Sequence, residues 1–393
     1  MKSIPKKTTR KNSPQTLKGK VIVQILPALN RGGVERGTIE MARAVVEAGG
    51  RAVVISSGGL LAANLNRVGG EHIDLGVDTK NPLKWAWRRG QVRKVLKETG
   101  ADLVHIRSRA PAWISIPAAR SLGLPVVTTL HGRFVSASRM KRFYNSIMTK
   151  SDHVIAISRY IRDLAVSQFP AVEPRLSVIH RGVDLEMFSA ASVSSQRVVK
   201  AASVLNVPDG TPVIMLPARP TGWKGAEMLI KACAMMGDVR FIVLLVGAAD
   251  GSPAFQAQLV RLTEKEGLRE KVRLCPSQDD MPATLMLADV VAMPSVTPEP
   301  FGRVAVEAAA MGRPVVAFDH GGASETVKHG ETGWLAHPGD VSSLADCLRQ
   351  ALNLKVRERR ALGKAARLRV EEQFSISKMC ADTIDIYRKL LRK

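Results

Sequence analysis

At 393 residues the chain exceeds what one typical hydrophobic core holds, so two domains are expected. Its apolar content of 45% is ordinary, and no apolar run approaches the ~20 residues that span a bilayer, which argues against a membrane-embedded protein. The net charge of +23 is lopsided: residues 1–190 hold 31 Lys and Arg against 13 Asp and Glu, a net of +18, and the remainder contributes +5.

Such a field suits a polyanionic partner (acidic lipid, anionic glycolipid or nucleic acid) and equally suits a merely soluble basic protein. Cys233, Cys275, Cys347 and Cys380 are scattered, with no C-x-x-C pair. They read as small buried residues, Cys380 as half-exposed, in a chain without a disulfide framework. The first twenty residues are basic and polar and lack the apolar core of a signal peptide. A cytoplasmic protein is expected.

Residues 1–19 form a Lys/Ser/Thr/Pro tail with little to bury, expected to be disordered. Lys20–Leu29 reads as an apolar strand. Gly32 and Gly33 then open a helix running to about Ala48. Strand, glycine turn and helix are the phosphate-approach geometry of a Rossmann-like unit, though the string is not G-x-G-x-x-G. Strands follow at Arg51–Ser56 and Ile73–Leu75. Pro82–Glu98 reads as a helix with Arg89, Arg93 and Lys97 stacked on one face and Trp85 and Trp87 near its start. This helix is equally a membrane-surface element and a solvated helix packing through Val92, Val95 and Leu96.

Asp102–Ile106 is a strand, and Arg107, Arg109 and Trp113 behind it suit an anionic ligand or a solvated loop. Pro125–Leu130 is another strand, ending in His131-Gly132. A histidine there is well placed for a ligand. Asp152–Ser158 is a further strand, with Ser158 capping the next helix. Leu176–His180 leads into the turn Arg181–Asp184, read as structural and as the close of the first domain.

Val213–Leu216 opens the second domain. Arg219 and Lys224 follow in A-R-P-T-G-W-K-G, five residues apart between glycines. The guanidinium binds two oxygens and the ammonium adds a point charge, which suits a diphosphate. Strands are expected at Asp238–Gly247 and Val272–Leu274. Asp279-Asp280 reads as a helix cap and not a metal site. Asp289–Pro294 leads into PSVTPEPFGRVAVEAAAMGRPVVAFDHGGASE, residues 294–325. Glu299 precedes a helix opened by Gly302, and Glu307 lies past its first turn. Unpaired amides at that helix start attract phosphate or sugar oxygens, and the two carboxylates need donors such as sugar and ribose hydroxyls. Gly333–Ala336 is a short strand, Asp340 caps a helix, and Ile376–Leu391 reads as a final amphipathic helix.

The string from Glu299 to Glu307, with Phe301-Gly302 inside it, resembles the E-x7-E signature of retaining glycosyltransferases of family 4 type. Gly32-Gly33, His131-Gly132 and Arg219…Lys224 match further motifs of that family, in its order, over nearly the whole chain after residue 19. The resemblance implies the α/β GT-B fold: two Rossmann-like domains facing a central cleft, with the C-terminal helix crossing back to the first. The domains would be an acceptor-binding domain at 20–190, a linker at 191–210, a nucleotide-sugar domain at 211–373 and the returning helix at 374–393.

It further implies a hexosyltransferase using a UDP- or GDP-sugar as co-substrate, with no metal and no other cofactor. Glu307 would hold the ribose. Glu299 and the amides near Phe301 and Gly302 would orient the sugar, and Gly32-Gly33 would approach the phosphates. Arg219 and Lys224 would stabilise the leaving diphosphate, with His131 near the transferred sugar. The acceptor side points to an anionic glycolipid, as in transferases of lipopolysaccharide core assembly, or to a phosphoinositol, with peripheral contact at the inner membrane surface. A nucleotide-sugar epimerase of the same fold and a nucleic-acid-binding protein are the alternatives; the second rests on charge alone.

Overall fold

The computed structural model describes residues 16–30, 32–79, 81–134 and 138–392. The chain divides into two units: Met1–Ala156 with Leu164–Ser177 and Cys380–Lys393, and Ile157–Asp163 with Val178–Met379. The turn Arg181–Asp184, expected to close the first domain, therefore falls in the second unit. Most of the expected basic tail lies outside the described residues. At its end, residues 16–19 form a turn that buries Leu17.

In the first unit the strands are β1 (Val21–Ile25), β2 (Arg51–Ser56), β3 (Glu71–Asp74), β4 (Leu103–Ile106), β5 (Val126–Leu130), β6 (His153–Ala156) and β7 (Leu176–Val178). They form one sheet in the order β3-β2-β1-β4-β5-β6-β7. The pairs from β3 through β6 are parallel. In the second unit, β8 (Val213–Pro217), β9 (Ile242–Val246), β10 (Val272–Cys275), β11 (Val290–Met293), β12 (Val315–Phe318) and β13 (Gly333–Ala336) pair in the order β10-β9-β8-β11-β12-β13. All five pairs are parallel. The central strands are short apolar runs because helices cover both faces of a parallel sheet. Two Rossmann-like units of this kind are the GT-B fold.

Strand order reverses between β1 and β4 in one sheet and between β8 and β11 in the other. At such a switch point the loops leaving the carboxyl ends diverge, one to each face, and open a crevice for a ligand. Each unit thus carries one built-in mouth.

Local chemistry accounts for the boundaries. Ser158 accepts from the Ile161 amide, Asp280 from that of Ala283 and Asp340 from that of Ser343, the expected N-caps. The first strand is shorter than expected. It stops at Ile25, just ahead of Pro27, which has no N–H to give a ladder. The segment after β4 starts a helix, Arg109–Arg120, rather than a loop; Pro111 lies in its first turn, where a missing N–H costs nothing. Cys380, expected half-exposed, is buried, its thiol turned to the Glu40 carbonyl, and burial pushes it up to about 12. Burial lifts Cys233 to about 12 and Cys275 to about 11 as well, so these thiols stay protonated at neutral pH.

The helix Ile376–Leu391 completes the first unit from Cys380 onward. Its Tyr387 is fully buried, and its hydroxyl meets His105 Nδ1 at 2.5 Å, while His105 Nε2 meets Thr129 Oγ1 at 2.7 Å. Burial, then the neighbouring Arg107 charge, holds the imidazole well below its ordinary range, so it stays neutral. Tyr387→Phe removes one partner of a buried pair and strands His105 Nδ1. The expected loss is about 1–3 kcal/mol of unfolding free energy, read from the midpoint of urea denaturation.

Candidate functional site

In the second unit the mouth is built from the loops after β8 and β11. The first runs through Arg219, Thr221 and a 3₁₀ turn at Gly222–Lys224. Gly225 ends that turn at φ +81°, and a Cβ there would stand 1.8 Å from the Pro294 carbonyl oxygen. The two loops are therefore in backbone contact, tied again by the Val296 amide donating to the Trp223 carbonyl at 2.9 Å. Only glycine fits this crossing.

That contact brings Lys224 Nζ to 2.5 Å from Glu299 Oε1. Ser295 Oγ donates to the same oxygen at 2.7 Å, and Lys224 Nζ lies 4.3 Å from the Trp223 ring centre. Both charged side chains are largely buried, 15% and 9% exposed. Sequence reasoning gave them different ligand atoms; the structure makes them each other's partner. Ser295 and Trp223 share the burial cost of the pair. Arg219 is exposed at the edge of a small hollow walled by Ala218, Thr221, Lys224, Ala248 and Phe255.

Glu299 is also fixed through its backbone. It bridges Gly321, and its carbonyl accepts from the Gly322 amide at 2.8 Å. Gly302, at φ +91°, turns the chain into the helix Arg303–Ala310, whose N-cap has no side-chain cap of its own. One turn in, Glu307 accepts from Arg303 at 2.7 Å, with its side chain 14% exposed. The Phe301 ring is buried, 5.8 Å from that of Phe374 and 6.1 Å from that of His180, so at Phe301 only the backbone faces the mouth. Arg219, Lys224, Glu299, Gly302 and Glu307 thus occupy one sheet's switch point and the helix that follows.

In the first unit Gly32 is the extended N-cap of the helix Gly33–Glu47, which follows β1. A Cβ on Gly32 would meet the Glu35 carboxylate at 2.2 Å. His131 follows β5 directly. Arg107 is buried and grips Gln24 Oε1 through Nε at 3.0 Å and Nη2 at 2.6 Å, so it is part of the core and not a surface clamp. Arg109 donates to Asn145 at 3.0 Å. Sequence reasoning missed Ser295, Trp223 and His320, whose ring meets the Ser295 carbonyl at 2.6 Å. Position after a strand end was the only signal they gave. Among the described residues no cluster of three or more His, Cys, Asp or Glu is placed to hold a metal ion.

The profile of the family described as "Glycosyltransferase Family 4" matches residues 31–187, and that of "Glycosyl transferases group 1" matches residues 200–369. A solved glycosyltransferase from Rickettsia africae is 31% identical, with a TM-score of 0.88 over 95% of this chain and 99% of that one. The chain belongs to the GT-B glycosyltransferases. A D-inositol 3-phosphate glycosyltransferase of Mycolicibacterium smegmatis is 33% identical over 223 residues, 56% of this chain. That match covers 49% of the relative, so the chain spans about half the length of such curated relatives. Anabaena HepE, solved with UDP-glucose, is 25% identical with a TM-score of 0.79 over 93% of this chain and 99% of HepE.

In this chain the crossing at Gly225 is a point of high cost. Gly225→Ala forces both a left-handed alanine and a backbone clash. It is expected to lose more than about 1 kcal/mol of stability in urea denaturation, where a surface glycine such as Gly267 changed to alanine pays only its positive φ.

Proposed function

We propose that the protein transfers a hexose, with retention, from a nucleotide-diphosphate sugar to an anionic acceptor. The observation that carries this reading is the Lys224–Glu299 pair at the second switch point, beside Arg219 and the open helix start at Gly302. Cations and unpaired amides converge there with two carboxylates, a set that suits a diphosphate joined to a sugar and a ribose. HepE, with its UDP-glucose, makes a UDP-sugar the first donor to test, ahead of GDP-mannose.

Glu307 accepts from the ribose hydroxyls, held in place by Arg303. Glu299 and the amides at Phe301 and Gly302 orient the sugar. As the bond from the sugar to the diphosphate breaks, negative charge grows on the departing phosphate. Arg219, Lys224 and the helix start stabilise that charge more in the transition state than before it, which is where such groups accelerate a reaction. The departing phosphate takes the proton of the acceptor hydroxyl as that hydroxyl attacks from the same face.

Binding is measured first, by calorimetry with UDP-glucose, UDP-galactose and GDP-mannose. One donor is expected to bind wild type, and Glu307→Ala to weaken it about 10–100-fold, the worth of hydrogen bonds to a charged group. Lys224→Ala and Arg219→Ala are expected to lower kcat about 100-fold each with a smaller change in donor affinity. Absence of binding to folded protein at millimolar donor overturns the reading.

For the acceptor, the first unit presents an exposed apolar face ringed by cations. Leu83, Trp87, Met140 and Phe143 are 89%, 60%, 82% and 61% exposed. Trp113 lies 5.1 Å from Trp85 and 5.0 Å from Phe143 between ring centres, which brings together the two helices on or beside which these residues lie. Arg88, Arg89, Lys141 and Arg142 flank them. Aromatics and cations together suit an anionic membrane surface, hence a lipid-linked phosphorylated saccharide such as a growing lipopolysaccharide core. The named inositol-phosphate relatives favour a second reading, a free phosphorylated polyol. No helix among the described residues is long and apolar enough to cross a membrane. Sedimentation with vesicles containing anionic lipid is expected to pull down wild type and to fall about tenfold or more for a Leu83→Ser/Trp87→Ser/Phe143→Ser variant. Equal sedimentation of both, or none of either, favours the free polyol.

A further inference from the structure

The segment Glu299–Gly302 is held from one side by Gly321 and Gly322. On its other side are Ser158, His180 and Glu325, to which sequence reasoning assigned no role in the mouth, all within the second unit. Ser158 Oγ donates to the Pro300 carbonyl at 2.6 Å and accepts from the Ile161 amide at 3.1 Å. Glu325, on the short helix after Gly322, caps the next two amides: Oε1 accepts from Tyr160 at 2.9 Å and Oε2 from Arg159 at 2.9 Å. His180 Nε2 closes the circuit at 2.8 Å from Glu325 Oε2. The acceptor there is a carboxylate, so Nε2 carries the proton.

The His180 ring does a second job. Its centre lies 6.1 Å from that of Phe301 and 5.2 Å, edge-on, from that of Phe374, and Phe301 and Phe374 are themselves edge-to-face at 5.8 Å. Arg369 donates to the Glu325 carbonyl at 2.7 Å and lies over Phe374. The peptide units that start the helix Arg303–Ala310 are therefore fixed at three points: the Pro300 carbonyl, the Phe301 ring and the Gly322 contact. Burial pushes the Glu325 carboxyl up, but the His180 hydrogen bond and the two amides outweigh it and hold the acid below its usual range. The Glu325 carboxylate is therefore ionised at neutral pH.

We propose that His180, through Glu325 and Phe301, is a positioning residue. It sets the amides from Phe301 to Val304 in the orientation that receives the sugar of the donor, and Ser158 is its counterpart at Pro300. This rests on the nucleotide-sugar reading of the mouth. It assigns to His180 the sugar-dependent part of donor binding, separate from the nucleotide part carried by Glu307. Positioning of this kind matters because a misplacement of about 1 Å can cost roughly 100-fold in rate.

The test uses the full chain with His180→Ala, His180→Gln and Ser158→Ala. Hydrogen exchange of the donor-free protein reads the clamp directly. His180→Ala is expected to speed exchange of amides 301–304 about tenfold or more while leaving β9 unchanged, the signature of local rather than global opening. Calorimetry with UDP against UDP-glucose, and GDP against GDP-mannose, reads the sugar increment. In His180→Ala the nucleotide should bind as in wild type while the preference for the sugar nucleotide disappears. His180→Gln, which restores a donor to Glu325, should recover most of it, and Ser158→Ala should lose part. Unchanged exchange at 301–304 in His180→Ala, or an intact sugar increment, overturns the proposal. Failure of wild type to bind any of the four nucleotides overturns the transferase reading instead, while the exchange data still decide whether the clamp exists.

Discussion

The ion pair between Lys224 and Glu299 is the constraint on which the second unit's mouth depends. It spans the loops after β8 and β11, where strand order reverses and the chain would otherwise splay to opposite faces. Two largely buried charges are tolerated because each has a further partner: Ser295 for the carboxylate and the Trp223 ring for the ammonium. The pair also stores chemistry. On the proposed reading, a diphosphate bound beside Arg219 would meet an ammonium already desolvated and held in place, leaving little reorganisation for the moment when charge develops. Glu299 keeps that ammonium from being a free surface cation when no ligand is present.

The first unit solves a different problem. Its core contains His105, Arg107, Gln24 and Thr129, polar groups that would destabilise an interior if left unpaired. They form a satisfied chain instead. Arg107 grips Gln24, Gln24 donates to the Thr38 carbonyl at 3.0 Å, and His105 is bracketed by Thr129 and Tyr387. The last member comes from the C-terminal helix, some 280 residues downstream in sequence. The polar network thus makes the end of the chain an obligatory part of the unit that its beginning builds.

Much of the fold was legible because parallel strands buried on both faces announce themselves as short apolar runs. β2 and β13 and the helix Ile376–Leu391 fall where the sequence pattern put them. The helix Arg109–Arg120 escaped because its start was read only as a ligand-binding or solvated loop; its Pro111 lies in the first turn, where a proline is harmless. The charged motifs were visible as spacing, since Arg219…Lys224 and Glu299…Glu307 each follow a strand. Their pairing was not, because spacing along one loop carries no information about the loop it crosses. Nothing near Gly225 in sequence tells that Pro294 lies against it. His180 and Ser158 were invisible as partners of Pro300 and Glu325 for the same reason, being more than 140 residues away.

The charge imbalance has a structural counterpart. In the second unit basic side chains are matched by acids across loops and helices: Lys224 with Glu299, Arg303 with Glu307, Arg197 with Asp280 and Arg359 with Asp289. In the first unit, helix Trp85–Glu98 carries Arg88, Arg89, Arg93, Lys94 and Lys97 against one acid, Glu98, which meets Lys94. Helix Arg139–Ser146 adds three more basic residues and no acid. Packing does not require these charges: Val92 and Leu96 bury the first helix, and exposed cations add little to stability. Their mutual repulsion is a standing cost to the folded chain. A cost carried on one face, around exposed Trp87 and Phe143, is offset when that face meets a surface of the opposite sign. On the proposed function, the donor would fall to the unit of paired charge and the acceptor to the unit of unbalanced charge.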